Sequence, residues 1–274
     1  SLIANEIPKT ALSKDLEAHA MVNIEPDWTA LQTASIIIVN TSENIELKKD
    51  FLNKIAQNAT KDTLIAINME SYPLENFQEG FSNPERLIGL NWVYPAHQTF
   101  FLELIITDIT NTEAVEELMK LAREQWGKDP YLLKNGKGIR SRLLAAMARE
   151  SFYLIDKGYV DPIDIDRACR NDPGYYLPFA GNFRYMDLMG TFIYGLVMKD
   201  LNPELSQKKS PSMLMDSKLN AGKTGLESGE GFYSYSENEV ETFEKDFLKF
   251  NKKIKALMEK YPFEDQNDKQ QNTP

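Results

Sequence analysis

Few side chains in this sequence are equipped to move a proton or attack a carbon. His97 is the best suited by type, because an unperturbed imidazole titrates near neutral pH. It sits in a polar loop, where it serves either as a general base or as a plain surface histidine. His19 falls in a stretch that reads as a surface helix. Cys169 is the single cysteine; on a helix it reads as a small core residue more readily than as a nucleophile. Lys137, Arg140 and Arg142 cluster at a turn. Together they could hold phosphates, pair with nearby acids, or stand solvated at a helix start. Glycine is informative by its position, since the first one is Gly80. A dinucleotide pyrophosphate is usually cradled by glycines where a first strand turns into a first helix. That turn is expected either ahead of Ser1 or to be lost.

Composition narrows the partners. The chain has 274 residues and a formal net charge of −10, which argues against nucleic acid as a general partner. One cysteine allows no intrachain disulfide, which suits a reducing, cytoplasmic setting. No apolar run approaches the roughly 18 residues needed to span a bilayer. The start at Ser1 shows no signal peptide and suggests trimming.

The elements fall into two halves. Ser35–Val39 and Thr63–Asn68 are β-branched apolar runs that read as buried strands, and Leu87–Val93, Thr99–Thr107 and Tyr131–Lys134 follow as three more. Ile45–Ala59 reads as a helix capped by Asn44 or Ser42. Asn111–Trp126 reads as an amphipathic helix with Ala114, Leu118, Leu121 and Ala122 on one side. Strands alternating with helices imply a mostly parallel α/β sheet. After Gly138 the signals are helical: a face ending at Gly158, then Asp161–Asp172, Phe183–Leu201 and Glu239–Tyr261. In the last of these Val240, Phe243, Phe247, Phe250, Ile254, Leu257 and Tyr261 form a heptad seam. The seam is expected to pack on its own domain or to join a dimer interface. The expected division is residues 1–136 as an α/β domain, 137–262 as an all-α domain and 263–274 as a disordered tail.

Three segments carry a resemblance. They are Gly89–Glu103 (Gly-Leu-Asn-Trp-Val-Tyr-Pro-Ala-His-Gln-Thr-Phe-Phe-Leu-Glu), Asp161–Gly190 with Asp-Ile-Asp-Arg-Ala and Asp-Leu-Met-Gly, and Gly222–Tyr235 with Gly-Lys-Thr-Gly and Gly-Glu-Gly-Phe-Tyr-Ser-Tyr. In order and spacing the chain resembles the 3-hydroxyacyl-CoA dehydrogenase family, from about Val22 to Tyr235. The resemblance implies an NAD-binding Rossmann-like N-terminal domain, here incomplete or degenerate. It also implies a helical C-terminal domain that supplies dimer contacts and half of an acyl-CoA cleft. The family reaction oxidises a 3-hydroxyacyl-CoA with hydride passing to NAD, while a histidine oriented by a glutamate takes the hydroxyl proton.

The resemblance also sets the expected site. The histidine position is Asn91, and an amide cannot take up a proton at neutral pH. The orienting glutamate corresponds to Glu103. The family serine near the substrate corresponds to Glu70, and an asparagine after the interdomain turn corresponds to Ser141. Glu43 matches an acid near the nicotinamide, and Asn68, which opens the segment that carries Glu70, is with Glu43 an expected cofactor-binding residue. Glu70 and Glu103 are expected to approach one cleft. The implied ligands are NAD and an acyl-CoA-like molecule, the implied assembly is a homodimer through the helical domain, and the function is a dehydrogenase-like oxidoreductase with altered or lost activity. The alternative is an inactive homologue that binds acyl-CoA or a protein partner.

Overall fold

The computed structural model describes residues 28–262. The segments Leu2–Ile7 and Ala11–Ala20, His19 and the tail 263–274 lie outside the described residues. The chain forms two compact units. One contains the described residues up to Trp92 together with Phe101–Gly138, and the other contains Val93–Phe100 and the chain from Ile139 onward.

The first unit is built on a five-stranded sheet in the order β1 (Ile36–Val39), β2 (Leu64–Ile67), β3 (Leu87–Asn91), β4 (Phe101–Ile106) and β5 (Asp129–Lys134). Only the β3–β4 pairing is antiparallel, so the sheet is mostly parallel, as the alternating pattern predicts. Helix α1 (Ile45–Asn58) links β1 to β2, the short α2 (Glu75–Gln78) precedes β3, and α3 (Thr112–Glu124) links β4 to β5. Asn44 caps α1 by accepting from the Leu47 N–H, and Asn111 caps α3 by accepting from the Ala114 N–H.

The period of two along each strand sorts the core into two layers. Ile65, Ile67 and Leu87 pack with Leu52 and Ile55 of α1 and with Phe77 of α2. Leu64, Ala66, Ile88, Leu90, Leu102 and Leu104 pack with Val115, Leu118 and Ala122 of α3. Strands β2 and β3 are buried at every position, which explains why they read as continuous apolar runs rather than alternating ones. Among those apolar side chains, Asn91 at the end of β3 and Glu103 in β4 are polar and buried.

The second unit is helical: α4 (Ile139–Asp156), α5 (Pro162–Asn171), α6 (Pro173–Met189), α7 (Thr191–Leu201), α8 (Met213–Asn220) and α9 (Glu237–Lys260). The single helix expected over Phe183–Leu201 is corrected. Helix α6 is broken at Gly181 (φ 63°), so its second part begins close to the expected Phe183, but it ends before Gly190, whose φ of 100° is a conformation a side chain would resist. The apolar pattern runs unbroken through Leu188, Met189, Phe192 and Ile193, which hides that break from a periodicity reading. Helix α9 begins with a reciprocal cap: Ser236 Oγ accepts from the Glu239 N–H, and the Glu239 carboxylate accepts from the Ser236 N–H at 2.8 Å.

The segment Val93–Phe100 packs on α9. The Tyr94 ring stacks on Phe247 with an interplanar angle of 11°, and its hydroxyl donates to Glu244 at 2.6 Å. Lys255 Nζ lies 5.0 Å from the centroid of Phe100. The α9 seam therefore packs within its own unit only in part, since Phe243, Phe250 and Leu257 stay more than half exposed. Among the described residues no helix is long and apolar enough to cross a membrane.

Candidate functional site

Two groups of polar side chains in the first unit, Glu43–Lys48–Asn68 and Asn91–Glu103–Tyr131, lie at one end of the sheet, while Gln78, Thr107 and Thr110 bond one another at the other end. The parallel strands β1, β2 and β3 end beside the first two groups, at Val39, Ile67 and Asn91, and the antiparallel β4 begins there. Open α/β sheets bind ligands outside the carboxyl ends of such strands.

Glu43, Lys48 and Asn68 form the first cluster. Asn68 follows β2 directly, and its amide pairs with the backbone after β1: the Thr41 N–H donates to Asn68 Oδ1 at 2.9 Å, and Asn68 Nδ2 donates to the Thr41 carbonyl at 3.1 Å. Lys48, on the first turns of α1, is fully buried. Its ammonium donates to the Asn68 carbonyl at 2.6 Å and to Asn68 Oδ1 at 2.9 Å, and it lies 3.3 Å from Glu43 Oε1. Burial holds the Lys48 amine below its usual range, and Glu43 opposes that shift by favouring the charged form. Glu43 Oε2 accepts from the Ser71 N–H at 3.2 Å and, more weakly, from the Glu70 N–H at 3.4 Å. The turn after β2 is thus held to the turn after β1. The Glu43 side chain keeps 32% of its surface open, so its carboxylate can still accept from a ligand hydroxyl.

Asn91, Glu103 and Tyr131 form the second cluster. They are register partners on adjacent strands, Asn91 opposite Glu103 and Glu103 beside Tyr131. Asn91 Nδ2 donates to Glu103 Oε1 at 3.0 Å, and the Tyr131 hydroxyl donates to Glu103 Oε2 at 2.8 Å. On its other side Asn91 Oδ1 accepts from the Met69 N–H at 2.9 Å. Two glycines make the room. Gly89 leaves space for the Met69 side chain, whose Sδ would lie 2.6 Å from an added Cβ. Gly138 lies against Glu103 and Asn91, and an added Cβ there would overlap Glu103 Oε1.

The residues singled out in the sequence are distributed as follows. Glu43 and Asn68 meet, and Asn91 meets Glu103. Glu70 is exposed on the turn after β2, with its backbone tied to Glu43. Ser141 lies half-buried in the first turn of α4, in the helical unit. His97 is exposed in the Val93–Phe100 segment, and Cys169 is half-buried on α5. Lys48 and Tyr131 escaped the sequence reading. A lysine on an amphipathic helix reads as solvated, and a tyrosine opening a strand reads as core. Only the register beside Glu103 distinguishes Tyr131.

Residues 3–136 match the family profile described as 3-hydroxyacyl-CoA dehydrogenase, NAD binding domain, and residues 139–235 match the one described as its C-terminal domain. The chain is 28% identical over 231 residues to 5-formyl-3-hydroxy-2-methylpyridine 4-carboxylate 5-dehydrogenase of Mesorhizobium japonicum, covering 84% of this chain and 75% of that protein. It is 32% identical over 211 residues to a probable 3-hydroxyacyl-CoA dehydrogenase of Caenorhabditis elegans, covering 76% of this chain and 69% of that one. A crystal structure of the pyridine-carboxylate 5-dehydrogenase, described as an NAD+ dependent dismutase, superposes with a TM-score of 0.78 at 28% identity, covering 87% of this chain and 76% of that chain. By contrast the chain spans only 29% of the length of a fatty acid oxidation complex subunit alpha of Vibrio vulnificus that it also matches.

Proposed function

The chain belongs to the 3-hydroxyacyl-CoA dehydrogenase family, and from that premise we propose that it binds NAD and a CoA-thioester-like ligand as an oxidoreductase of a hydroxy–carbonyl couple, with its chemistry altered at residue 91. The observation that carries this reading is the pair of clusters at one end of the sheet, Glu43–Lys48–Asn68 beside Met69–Asn91–Glu103. A dinucleotide would supply the hydride acceptor or donor. The chemistry of the first cluster fits its ribose end, because Glu43 offers a partly open carboxylate to sugar hydroxyls while Lys48 and Asn68 hold it in place. Among the described residues no glycine precedes Gly80, so the pyrophosphate end is not assigned.

At the reacting end the chain's own residues bind and orient. Glu103 fixes the Asn91 amide, and Asn91 can hydrogen-bond an oxygen without taking its proton. Glu70 and Ser141 are the remaining polar residues proposed for the acyl ligand. The name of the Mesorhizobium relative puts a pyridine carboxylate on a related scaffold, so we take the substrate class to be a hydroxy–carbonyl compound on an anionic carrier. A second reading, a ligand-binding homologue without turnover, is favoured by the same amide, because no base occupies residue 91. The exposed apolar side chains of α9 and of α6–α7, among them Phe250, Leu257, Phe183 and Phe192, support a homodimer through the helical unit. A soluble, cytoplasmic setting suits the single cysteine.

Calorimetric titration with NADH, followed by acetoacetyl-CoA, tests the proposal. Binding of both with hydride transfer supports the oxidoreductase. Binding of the thioester without NADH leaves the non-turnover reading. Failure of both to bind overturns the proposal.

A further inference from the structure

The helical unit is short of a core. Among its described residues Ala180 is the only buried hydrophobic side chain, while most of the large exposed apolar groups of the chain belong to this unit. Helix α9 shows the shortage plainly, since none of its 24 residues is buried. Tyr94 lies on Phe247 and Phe179 against Tyr261, which still leaves Phe243, Phe250 and Leu257 of the seam more than half exposed. Beside the second half of α9 runs an open groove of about 440 Å³, lined chiefly by Pro178, Phe179, Phe250, Ile254 and Leu257. An apolar face of this length marks a surface that another chain covers. The match to the family's C-terminal domain ends at residue 235, so that domain does not account for a face on α9.

Charge identifies the partner. From Glu237 to Asp246 the helix carries five acids and one lysine, and from Phe247 to Lys260 it carries five lysines and one glutamate. The helix dipole favours this order only in the first and last turns. Glu244, Asp246, Lys249, Lys252 and Lys253 lie further in, beyond its reach. Pairs within the helix, Lys245 with Glu241 and Lys249 with Asp246, need neighbours of opposite sign but not two halves of opposite sign. Two copies of α9 side by side in the same direction would set acids against acids and lysines against lysines. In opposite directions about a twofold axis, each acidic half meets a basic half. The seam fits the same arrangement, with Val240 opposite Leu257 of the second copy, Phe243 opposite Ile254 and Phe247 opposite Phe250.

We propose that α9 is the face through which two copies of this chain associate, running antiparallel so that each acidic half lies on the other copy's basic half. The inference rests on the homodimer reading above and adds to it the helix and its direction.

The test places thiols on the seam of the full chain in a Cys169→Ala background: Val240→Cys, Leu257→Cys and the two together. These positions lie about 26 Å apart along one helix, too far for a disulfide within a chain. Mild oxidation, read as covalent dimer on a denaturing gel, is expected to link the paired variant and neither single one. Covalent dimer from either single variant means parallel helices and overturns the inference. A dimer mass by sedimentation without a cross-link in the paired variant also overturns it, and leaves the homodimer reading standing with its interface elsewhere on the helical unit. A single-chain mass at every concentration overturns both. If the thiol variants do not fold, Lys253→Glu decides, because this exposed change is expected to raise the dimer dissociation constant about tenfold at low salt and much less at high salt. An unchanged constant at low salt overturns the inference.

Discussion

The hydroxyl of Tyr233 donates a 2.6 Å hydrogen bond to Oδ2 of Asp166, 67 residues earlier in the chain. This bond joins Asp-Ile-Asp-Arg-Ala on α5 to Gly-Glu-Gly-Phe-Tyr-Ser-Tyr before α9. A second contact ties the two parts of that later motif together, since Lys223 Nζ lies 2.5 Å from Glu230 Oε1. These motif residues brace the helical unit, so their presence says more about the fold than about the reaction.

The Asp166 carboxylate beside Tyr233 pushes its hydroxyl from the ordinary 10.0 to about 12. The sign follows from proton counting. Between those values the unfolded chain has released the proton while the folded chain still holds it, so the stabilisation is complete below pH 10 and is lost as pH rises through 12. Ultraviolet titration of tyrosinate in the folded protein should show Tyr233 among the late-ionising tyrosines, beside Tyr94, held up by Glu244, and Tyr176, held up by burial. Tyr233→Phe should remove its step and flatten the alkaline loss of stability.

Lys48→Met should destabilise the first unit by about 2 kcal/mol in urea denaturation, because Glu43 and the Asn68 oxygens lose a buried cation. The figure is set below that for a fully buried pair, since the Glu43 side chain is 32% exposed. Burial lowers the Lys48 amine below 10.5, so the folded chain releases this proton before the unfolded chain does. The Lys48 contribution to stability therefore rises with pH in the window just below 10.5, and Lys48→Met should lack that rise.

Gly138→Ala should cost about 1–3 kcal/mol, since the new methyl group overlaps Glu103 Oε1 and must push the carboxylate off Asn91. Tyr131→Phe should cost about 1 kcal/mol by removing one donor from the same buried carboxylate. The two sites share Glu103, so the double variant should depart from additivity. Chemical denaturation of the single and double variants measures this.

Phe250→Glu, on the exposed seam of α9, should lower the mass seen by light scattering from that of a dimer to that of a single chain, with helical content unchanged. Phe250 is 60% exposed, so the substitution costs the folded chain little by itself. An unchanged dimer mass would move the interface away from this face.

The inner strands β2 and β3 were legible because they are covered on both faces. Leu64–Ile67 and Leu87–Asn91 are unbroken apolar runs for that reason, and Asn44 and Asn111 mark the helix starts with side chains that can do little else there. The Asn91–Glu103 pairing was legible only through resemblance, because nothing in a spacing of 12 residues announces an antiparallel register. Lys48 was hidden by its type. A cation on a helix signals solvent unless the acceptors after β1 and β2 are already in place. Gly190 was hidden by its neighbours, whose apolar pattern continues across the break between α6 and α7.

The segment Val93–Phe100 has a consequence for anyone who cuts this gene. The chain leaves the first unit after Trp92, fastens Tyr94 to α9, and returns at Phe101. The border between the units is therefore not a single point in the sequence. A fragment ending at Gly138 would contain every strand of the sheet and yet carry a loop whose tyrosine and phenylalanine have lost the helix that holds them. Such a fragment should be sticky and prone to proteolysis between β3 and β4 unless that loop is replaced by a short polar turn. Recombining this N-terminal unit with another helical partner requires the loop to travel with α9.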